Sequence, residues 1–272
     1  MDMKVNTCLS VAGSDSGGEA GVQADLQVFN HYKCHALSVI SANTAQSPLR
    51  VQSVNPVSIT AFKDQLEVVF SDFSPRCMKT GVLVGGDYIE SLLTMKPKDI
   101  DLVVDPLMLS TSGTKLLEVT AWSLMKDQLI PEASVVTPNY PELEYLSACD
   151  GSLSGMEMLQ EYFMKYAVPT YLKGGHNLLA PSTDLFINSQ GLWEIKTEAL
   201  QIRASHGTGC RLSAAICAGL ANGLSQLDAA IEAKKYLYRC LSSSRVLDDG
   251  RAVMAPLSME HKEVQVEVVK LL

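Results

Sequence analysis

His206-Gly207-Thr208-Gly209-Cys210 runs straight into Arg211-Leu212-Ser213-Ala214-Ala215-Ile216, a helix-forming stretch. A glycine-punctuated turn that opens a helix aims unpaired backbone N–H groups, and the positive end of the helix dipole, at one point. Such a point suits a phosphate or a developing anion. Cys210 stands at that place, where the dipole would stabilise a thiolate and lower its pKa. The competing reading is a tight loop feeding a packed helix whose first cysteine is simply buried. The five residues alone leave the two readings level.

Other polar residues recur where short apolar runs end. Leu102-Val103-Val104 ends at Asp105-Pro106, and Val135-Val136 ends at Thr137-Pro138-Asn139, with Glu142 three residues on. Thr170-Tyr171-Leu172 ends at Lys173-Gly174-Gly175-His176, and the first run ends in the turn from Gly13 to Gly18, with Asp25 in the helical stretch that follows. Each has a plain structural alternative: Asp105 as a turn former, Asn139 and Glu142 as helix caps, Lys173 as a solvated strand end. With the glycine loop, these four strand ends place charge, amide or glycine at five points on one rim, the rim where open parallel α/β sheets bind ligands. Two acids able to hold magnesium, one lysine and a glycine loop at a helix start are the parts that phosphoryl transfer needs. The chain has no G-x-x-x-x-G-K-[ST] and no G-x-G-x-x-G after its first strand, so neither the P-loop nor the dinucleotide-binding pattern is present.

These residues need a scaffold, and the pattern supplies one. Apolar runs of strand type fall at Val5 to Ala12, Ala36 to Ala42, Cys77 to Leu83, Asp101 to Val104, Ser134 to Thr137 and Val168 to Leu172. Asp184 to Asn188 and Leu192 to Thr197 read as a hairpin around Gln190-Gly191. Helical periodicity separates the strands: Val22, Leu26 and Phe29; a helix begun by Pro56 with Ile59, Phe62, Leu66 and Val69 on one stripe; and stretches at 88–95, 116–129, 141–146, 156–166, 210–221 and 226–241. Strands joined by helix-length connections predict an α/β fold, a mostly parallel sheet covered on both faces, in one domain over residues 1–272. A net charge of −8 without a basic run argues against nucleic acid or an anionic membrane as partner. No run has transmembrane length, and the start lacks a signal-peptide core. The seven cysteines are scattered with no C-x-x-C pair, which fits reduced thiols in a cytoplasmic protein, without zinc or a disulfide framework.

The run from Ala12 to Leu26, AGSDSGGEAGVQADL, resembles the N-terminal signature of the hydroxymethylpyrimidine/phosphomethylpyrimidine kinases, the thiamine-biosynthesis branch of the ribokinase-like superfamily. The resemblance continues through Thr44-Ala45-Gln46, Val51-Gln52-Ser53-Val54, Lys79-Thr80-Gly81, Asp105-Pro106, the run from Thr137 to Glu142, Lys173-Gly174-Gly175-His176 and His206 to Cys210, covering about residues 5–245 in order. It implies a three-layer α/β/α sandwich, ATP and Mg2+ as cofactors, a small pyrimidine as partner and a homodimer. By the same resemblance Gly13, Asp25, Gln46, Val82 and Leu107 would line the pyrimidine site. Asp105 and Glu142 would act on the metal, Asn139, Lys173 and Lys234 would serve the nucleotide, Gly207, Thr208 and Gly209 would form the anion hole, and Cys210 would be the base. Four positions depart from the family pattern: Glu19 for a glycine, Ser47 for an asparagine, Val82 for a methionine and Arg211 for a threonine. The family's C-terminal ending is also missing, and Val264, Val266 and Val268 alternate as in a short strand. Two alternatives follow, a kinase for a pyridoxine- or pyridoxal-type alcohol and a non-catalytic pyrimidine-binding homologue. Arg211 either adds charge to the phosphate site or faces solvent.

Overall fold

The computed structural model describes residues 4–108, 116–148, 153–174, 182–200, 206–254 and 263–272. Gly175 and His176 of the lysine-glycine motif, and Cys149, lie outside them. In chain order the elements are β1 (Thr7–Asp15), α1 (Gly21–His31), β2 (His35–Ser47), β3 (Arg50–Pro56), α2 (Ile59–Asp72), β4 (Cys77–Thr80), α3 (Gly86–Met95) and β5 (Asp101–Val104). There follow a single turn α4 (Trp122–Leu124), β6 (Val135–Val136), α5 (Tyr140–Ser147), α6 (Gly155–Tyr166), β7 (Thr170–Leu172), β8 (Thr183–Asn188) and β9 (Gly191–Lys196). The last elements are α7 (Thr208–Ala221), α8 (Gln226–Ser242), the short pair β10 (Arg245–Val246) and β11 (Ala252–Val253), and β12 (Glu267–Lys270).

The main sheet has ten strands in the order β12-β9-β8-β7-β6-β5-β4-β1-β2-β3. The strands from β2 to β7 in that order pair in parallel, while β3 at one edge and β8, β9 and β12 at the other pair antiparallel. Period-two alternation sends successive strand residues to opposite faces. Leu9, Met78, Leu102 and Val104 pack with Phe62 and Leu66 of α2, Ile89 and Leu92 of α3, and Leu143 of α5. Cys8, Cys77, Val103 and Val135 face the other way, against Phe29 of α1, Leu212, Ile216 and Cys217 of α7, and Ala229 and Ala233 of α8. The result is the three-layer sandwich that the pattern predicts.

Helix α7 carries the glycine loop, and small residues let it sit deep. Ala214, Ala215, Ala218 and Ala221 are all buried. At Gly219 an added Cβ would lie 3.0 Å from that of Ala229 on α8, so the two helices approach backbone to backbone.

Several local expectations give way. Pro56 ends β3 instead of opening a helix; α2 starts at Ile59, where Ser58 accepts a hydrogen bond from Ala61 N–H. The strand expected at Ala36 to Ala42 runs on to Ser47 and returns as β3, because turn residues Ser47 and Pro48 interrupt it without a helical period following. The helix expected over 116–129 is broken into a 3-10 turn at Val119–Ala121, α4, a π turn at Met125–Leu129 and a 3-10 turn at Ile130–Glu132. It carries no side-chain cap, and Pro131 ends it. The terminal strand is real but shorter: β12 starts at Glu267, so only Val268 of the three alternating valines lies in it.

Candidate active site

The carboxyl ends of β5, β6 and β7 converge on one lysine. Lys173, just past β7, places Nζ 3.0 Å from Asp105 Oδ1 and 3.6 Å from Glu142 Oε2. Asp105, just past β5, also accepts from Thr137 Oγ1 and Ser213 Oγ, each at 3.4 Å. Glu142 and Asn139 form a capping box at the start of α5: Glu142 N–H donates to Asn139 Oδ1, and Asn139 N–H donates to Glu142 Oε2. The capping reading of this pair is realised, and Glu142 caps the helix with the same oxygen that faces Lys173. Asn139 Oδ1 being engaged, only its Nδ2 could donate to a phosphate.

Burial pushes Glu142 up from the usual carboxylate range, and Asp105 adds to the rise while Lys173 opposes it. For Lys173 burial works against the charge, but Asp105 and Glu142 outweigh it and hold the ammonium firmly protonated. The lysine thus stays a fixed cation between two acids.

The glycine loop meets this cluster. Gly207 is the N-cap of α7 with φ 79°, in the left-handed region, and no side chain caps the helix. A methyl on Gly209 would lie 3.5 Å from Lys173 Nζ and 3.8 Å from Asp105 Oδ2. The start of α7 is thereby set against the lysine and the acid, as the anion reading of the loop requires. At Gly207 an added Cβ would fall 1.9 Å from the Glu19 carbonyl oxygen, so only glycine fits there.

Cys210 is half-buried, and the expected lowering of its pKa is not found. Burial pushes the thiol up; Lys79 opposes that, and the Asp25 and Asp105 charges reinforce it. The helix start does not outweigh desolvation with two carboxylates nearby. Lys79 and Asp25 are both fully buried, with Nζ to Oδ1 at 3.0 Å, and Ser10 Oγ donates to the other Asp25 oxygen at 2.6 Å. Both Asp25 oxygens are therefore engaged within the protein. Lys79 is the buried cation that sequence reasoning passed over: it was visible only as the start of Lys79-Thr80-Gly81, and its partner 54 residues away carries no local signal.

On the β1 side, Gly13 and Val82 face each other: a Cβ on Gly13 would lie 3.6 Å from that of Val82. Leu107 follows Asp105 and donates its N–H to the Asp105 carbonyl at 2.8 Å. Gln46 Nε2 sits 2.9 Å from His206 Nε2, and the same ring nitrogen is 3.6 Å from Asp15 Oδ2. Asp15 organises the first turn by accepting from the N–H groups of Gly17, Glu19 and Ala20. Burial raises its pKa, but the bonds from His206, Ala20 and Gly17 prevail and hold the carboxyl below its usual value.

Two further cations are buried and bonded within the protein. Arg211 is 2% exposed and neither joins the phosphate site nor faces solvent. Its Nη1 donates to the Glu19 carbonyl and its Nη2 to Gln27 Oε1 at 2.9 Å, so it fastens the β1 turn to α7. Lys234 is buried, with Nζ 2.7 Å from Asp184 Oδ2.

Acids, lysine and an uncapped helix start, gathered at the carboxyl ends of a parallel sheet in a three-layer sandwich, define the ribokinase-like class of phosphoryl-transfer proteins. Residues 15–254 match the family model described as phosphomethylpyrimidine kinase. The chain belongs to that family. It is 38% identical over 247 residues to the hydroxymethylpyrimidine/phosphomethylpyrimidine kinase of Rhizobium meliloti, covering 89% of this chain and 93% of the relative. Among solved structures, it resembles the pyridoxal kinase of Staphylococcus aureus in complex with ADP, with a TM-score of 0.86, 29% identity and coverage of 99% and 100% of the two chains. It also resembles the phosphomethylpyrimidine kinase of Clostridium difficile, with a TM-score of 0.73, 33% identity and coverage of 86% and 98%.

Proposed function

We infer that the protein transfers the γ-phosphoryl group of ATP to the hydroxymethyl group of 4-amino-5-hydroxymethyl-2-methylpyrimidine, and then to the monophosphate to form the pyrophosphate, in thiamine biosynthesis. The observation that carries the reading is Lys173 held between Asp105 and Glu142 directly opposite Gly209 of the glycine loop. That arrangement offers a fixed cation and helix-start amides to a transferring phosphoryl group.

The donor set fits magnesium. Among the described residues no cluster of three or more protein ligands forms a cage, but two buried carboxylates stand ready to share an ion with nucleotide phosphates and water, which is how Mg2+ is ordinarily held. Asp105 and Glu142 would hold it, and when bound it neutralises phosphate charge. Lys173 would bind the phosphates through Nζ, with Asn139 Nδ2 adding a donor. Gly207, Thr208 and Gly209 would receive the negative charge that develops during transfer. Gly13, Val82 and Leu107 would wall the pyrimidine and Gln46 would read its polar edge, with His206 fixing the orientation of that amide. Asp25 supports the site from below by holding Lys79. Cys210 would take the hydroxymethyl proton; the thiol rests protonated, and Lys79 is the cation that favours its ionisation. A loose transition state asks little of the base, so positioning carries most of the rate.

Burial pushes the Glu19 carboxyl up, and the His206 and Arg211 charges counter that.

A second reading, a pyridoxal-type kinase, is favoured by the higher TM-score to the Staphylococcus aureus pyridoxal kinase and by Val82, which stands beside Gly13 where the family pattern has methionine. The same proposal includes one ribokinase-like domain over residues 1–272, a homodimer and a cytoplasmic setting. No helix among the described residues is long and apolar enough to cross a membrane, and the six described cysteines are free thiols. The test is incubation of the purified protein with ATP, Mg2+ and the pyrimidine alcohol, with products resolved by mass. Monophosphate followed by pyrophosphate is expected; binding without any phosphorylated product contradicts the reading.

A further inference from the structure

The Asp184 carboxylate gathers three donors, from β7, the turn after it and α8, although it lies outside the cluster around Lys173. Gly174 N–H donates to Oδ1 at 2.6 Å, Tyr171 Oη–H to Oδ2 at 2.6 Å, and Lys234 Nζ approaches Oδ2 at 2.7 Å. Asp184 is 5% exposed, and the Lys234 side chain is 9% exposed. Burial, reinforced by the adjacent Asp184 charge, pushes the Tyr171 phenol well above its usual value, so it remains a donor.

Gly174 follows Lys173 directly. On the other side, Lys173 N–H donates to the Pro138 carbonyl at 2.9 Å, which sets the backbone of the lysine beside Asn139. Gly174 lies hard against the start of β8, where only glycine fits: an added Cβ would fall 1.6 Å from the Thr183 carbonyl oxygen. The turn that presents Lys173 is therefore clamped between the β6 end and Asp184. Lys234 reaches the clamp from α8, the helix packed on α7. A buried carboxylate and ammonium at this distance compensate each other's charge, and removal of either leaves the other uncompensated.

We propose that Asp184 is a positioning residue for the phosphate-binding turn Lys173-Gly174, and that Lys234 acts on the nucleotide through Asp184 instead of touching it. The proposal rests on the ATP-dependent reading given above, and its test reads nucleotide binding separately from turnover. ADP is titrated calorimetrically into the parent protein, Asp184→Asn, Lys234→Met and the double variant, and KM is measured for ATP and for the pyrimidine alcohol. Each single variant is expected to weaken ADP binding about tenfold and raise KM for ATP by a similar factor, with the pyrimidine KM changed less than about twofold. The double variant binds ADP no more weakly than the worse single variant, because the two residues act as one unit. Loss of ADP affinity in Lys234→Met alone, or effects that multiply in the double variant, would overturn the proposal, as would equal rises in both KM values. If Asp184→Asn does not fold, Tyr171→Phe removes a single donor. Weaker ADP binding with an unchanged pyrimidine KM then supports the clamp, and unchanged ADP affinity overturns it. A parent protein that binds no ADP contradicts the kinase reading and with it the proposal, whereas ADP binding without phosphorylation of the pyrimidine leaves the clamp standing and removes only the substrate.

Discussion

Cys210 shows how a residue can be legible while its state is not. Its place at the start of α7 is plain from the sequence, but the direction of its pKa is set by Lys79, Asp25 and Asp105, which arrive from three other elements. The thiol is raised, so at neutral pH it is protonated and only a small thiolate fraction is available. If that thiolate is the base, turnover rises with pH from about 7 to about 9 as the fraction grows, and a flat profile of the chemical step contradicts that role. Cys210→Ala should fold and bind the pyrimidine yet lose most turnover, by about a hundredfold or more. Near-normal turnover returns Cys210 to simple packing. Arg211 teaches the converse lesson. Its exposure could not be read from its neighbours, because the acceptors it serves lie 184 and 192 residues away. Arg211→Thr strands the Glu19 carbonyl and Gln27, and should lower unfolding stability by about 2 kcal/mol in denaturant titration. Arg211→Lys should not recover the loss, since one ammonium cannot reproduce the guanidinium fork. Full recovery by lysine means that charge alone is what the position needs.

Elements were read well where one period dominated. The stripes of α2, α6 and α8 and the parallel strands β1, β4, β5 and β7 follow directly from apolar spacing, and the β8–β9 hairpin from its turn residues. Reading failed where tertiary context set the backbone. Pro56 carries the mark of a helix start but serves an edge strand, where its missing N–H costs no ladder bond. The stretch from Val119 to Glu132 has helical periodicity, but without caps it settles as alternating 3-10 and π turns. Glycine in the loops also carries unequal weight. Gly207 and Gly18 both adopt positive φ, at 79° and 76°, yet an added Cβ at Gly207 meets the Glu19 carbonyl at 1.9 Å while one at Gly18 meets nothing within 4 Å. Gly18→Ala should cost about 1 kcal/mol and leave activity near normal. Gly207→Ala, measured in the same denaturation and turnover assays, should displace the start of α7 and abolish most activity. Equal effects at the two positions contradict the assignment of Gly207 to the packed loop.

For the whole molecule, the candidate site comes from putting the ends of β1, β5, β6 and β7 and the start of α7 on a single rim, and all of these except the buried Lys79–Asp25 pair were legible as strand-end or loop residues in the sequence. What could not be read was which polar groups pair inside the protein. Asp25, Lys234 and Arg211 all have partners at least 50 residues away in sequence, so no window along the chain reveals whether they face a ligand. The proposed pyrimidine wall depends on the same long-range packing, because Gly13, Val82, Leu107 and Gln46 come from separate segments. The most direct measurement places the pyrimidine alcohol and pyridoxal in one reaction with limiting ATP and Mg2+ and follows both phosphorylated products. The pyrimidine is expected to be taken at least about tenfold faster, a preference worth about 1.4 kcal/mol in the transition state. Preferential phosphorylation of pyridoxal would contradict the pyrimidine assignment, and no product from either alcohol would contradict the kinase itself.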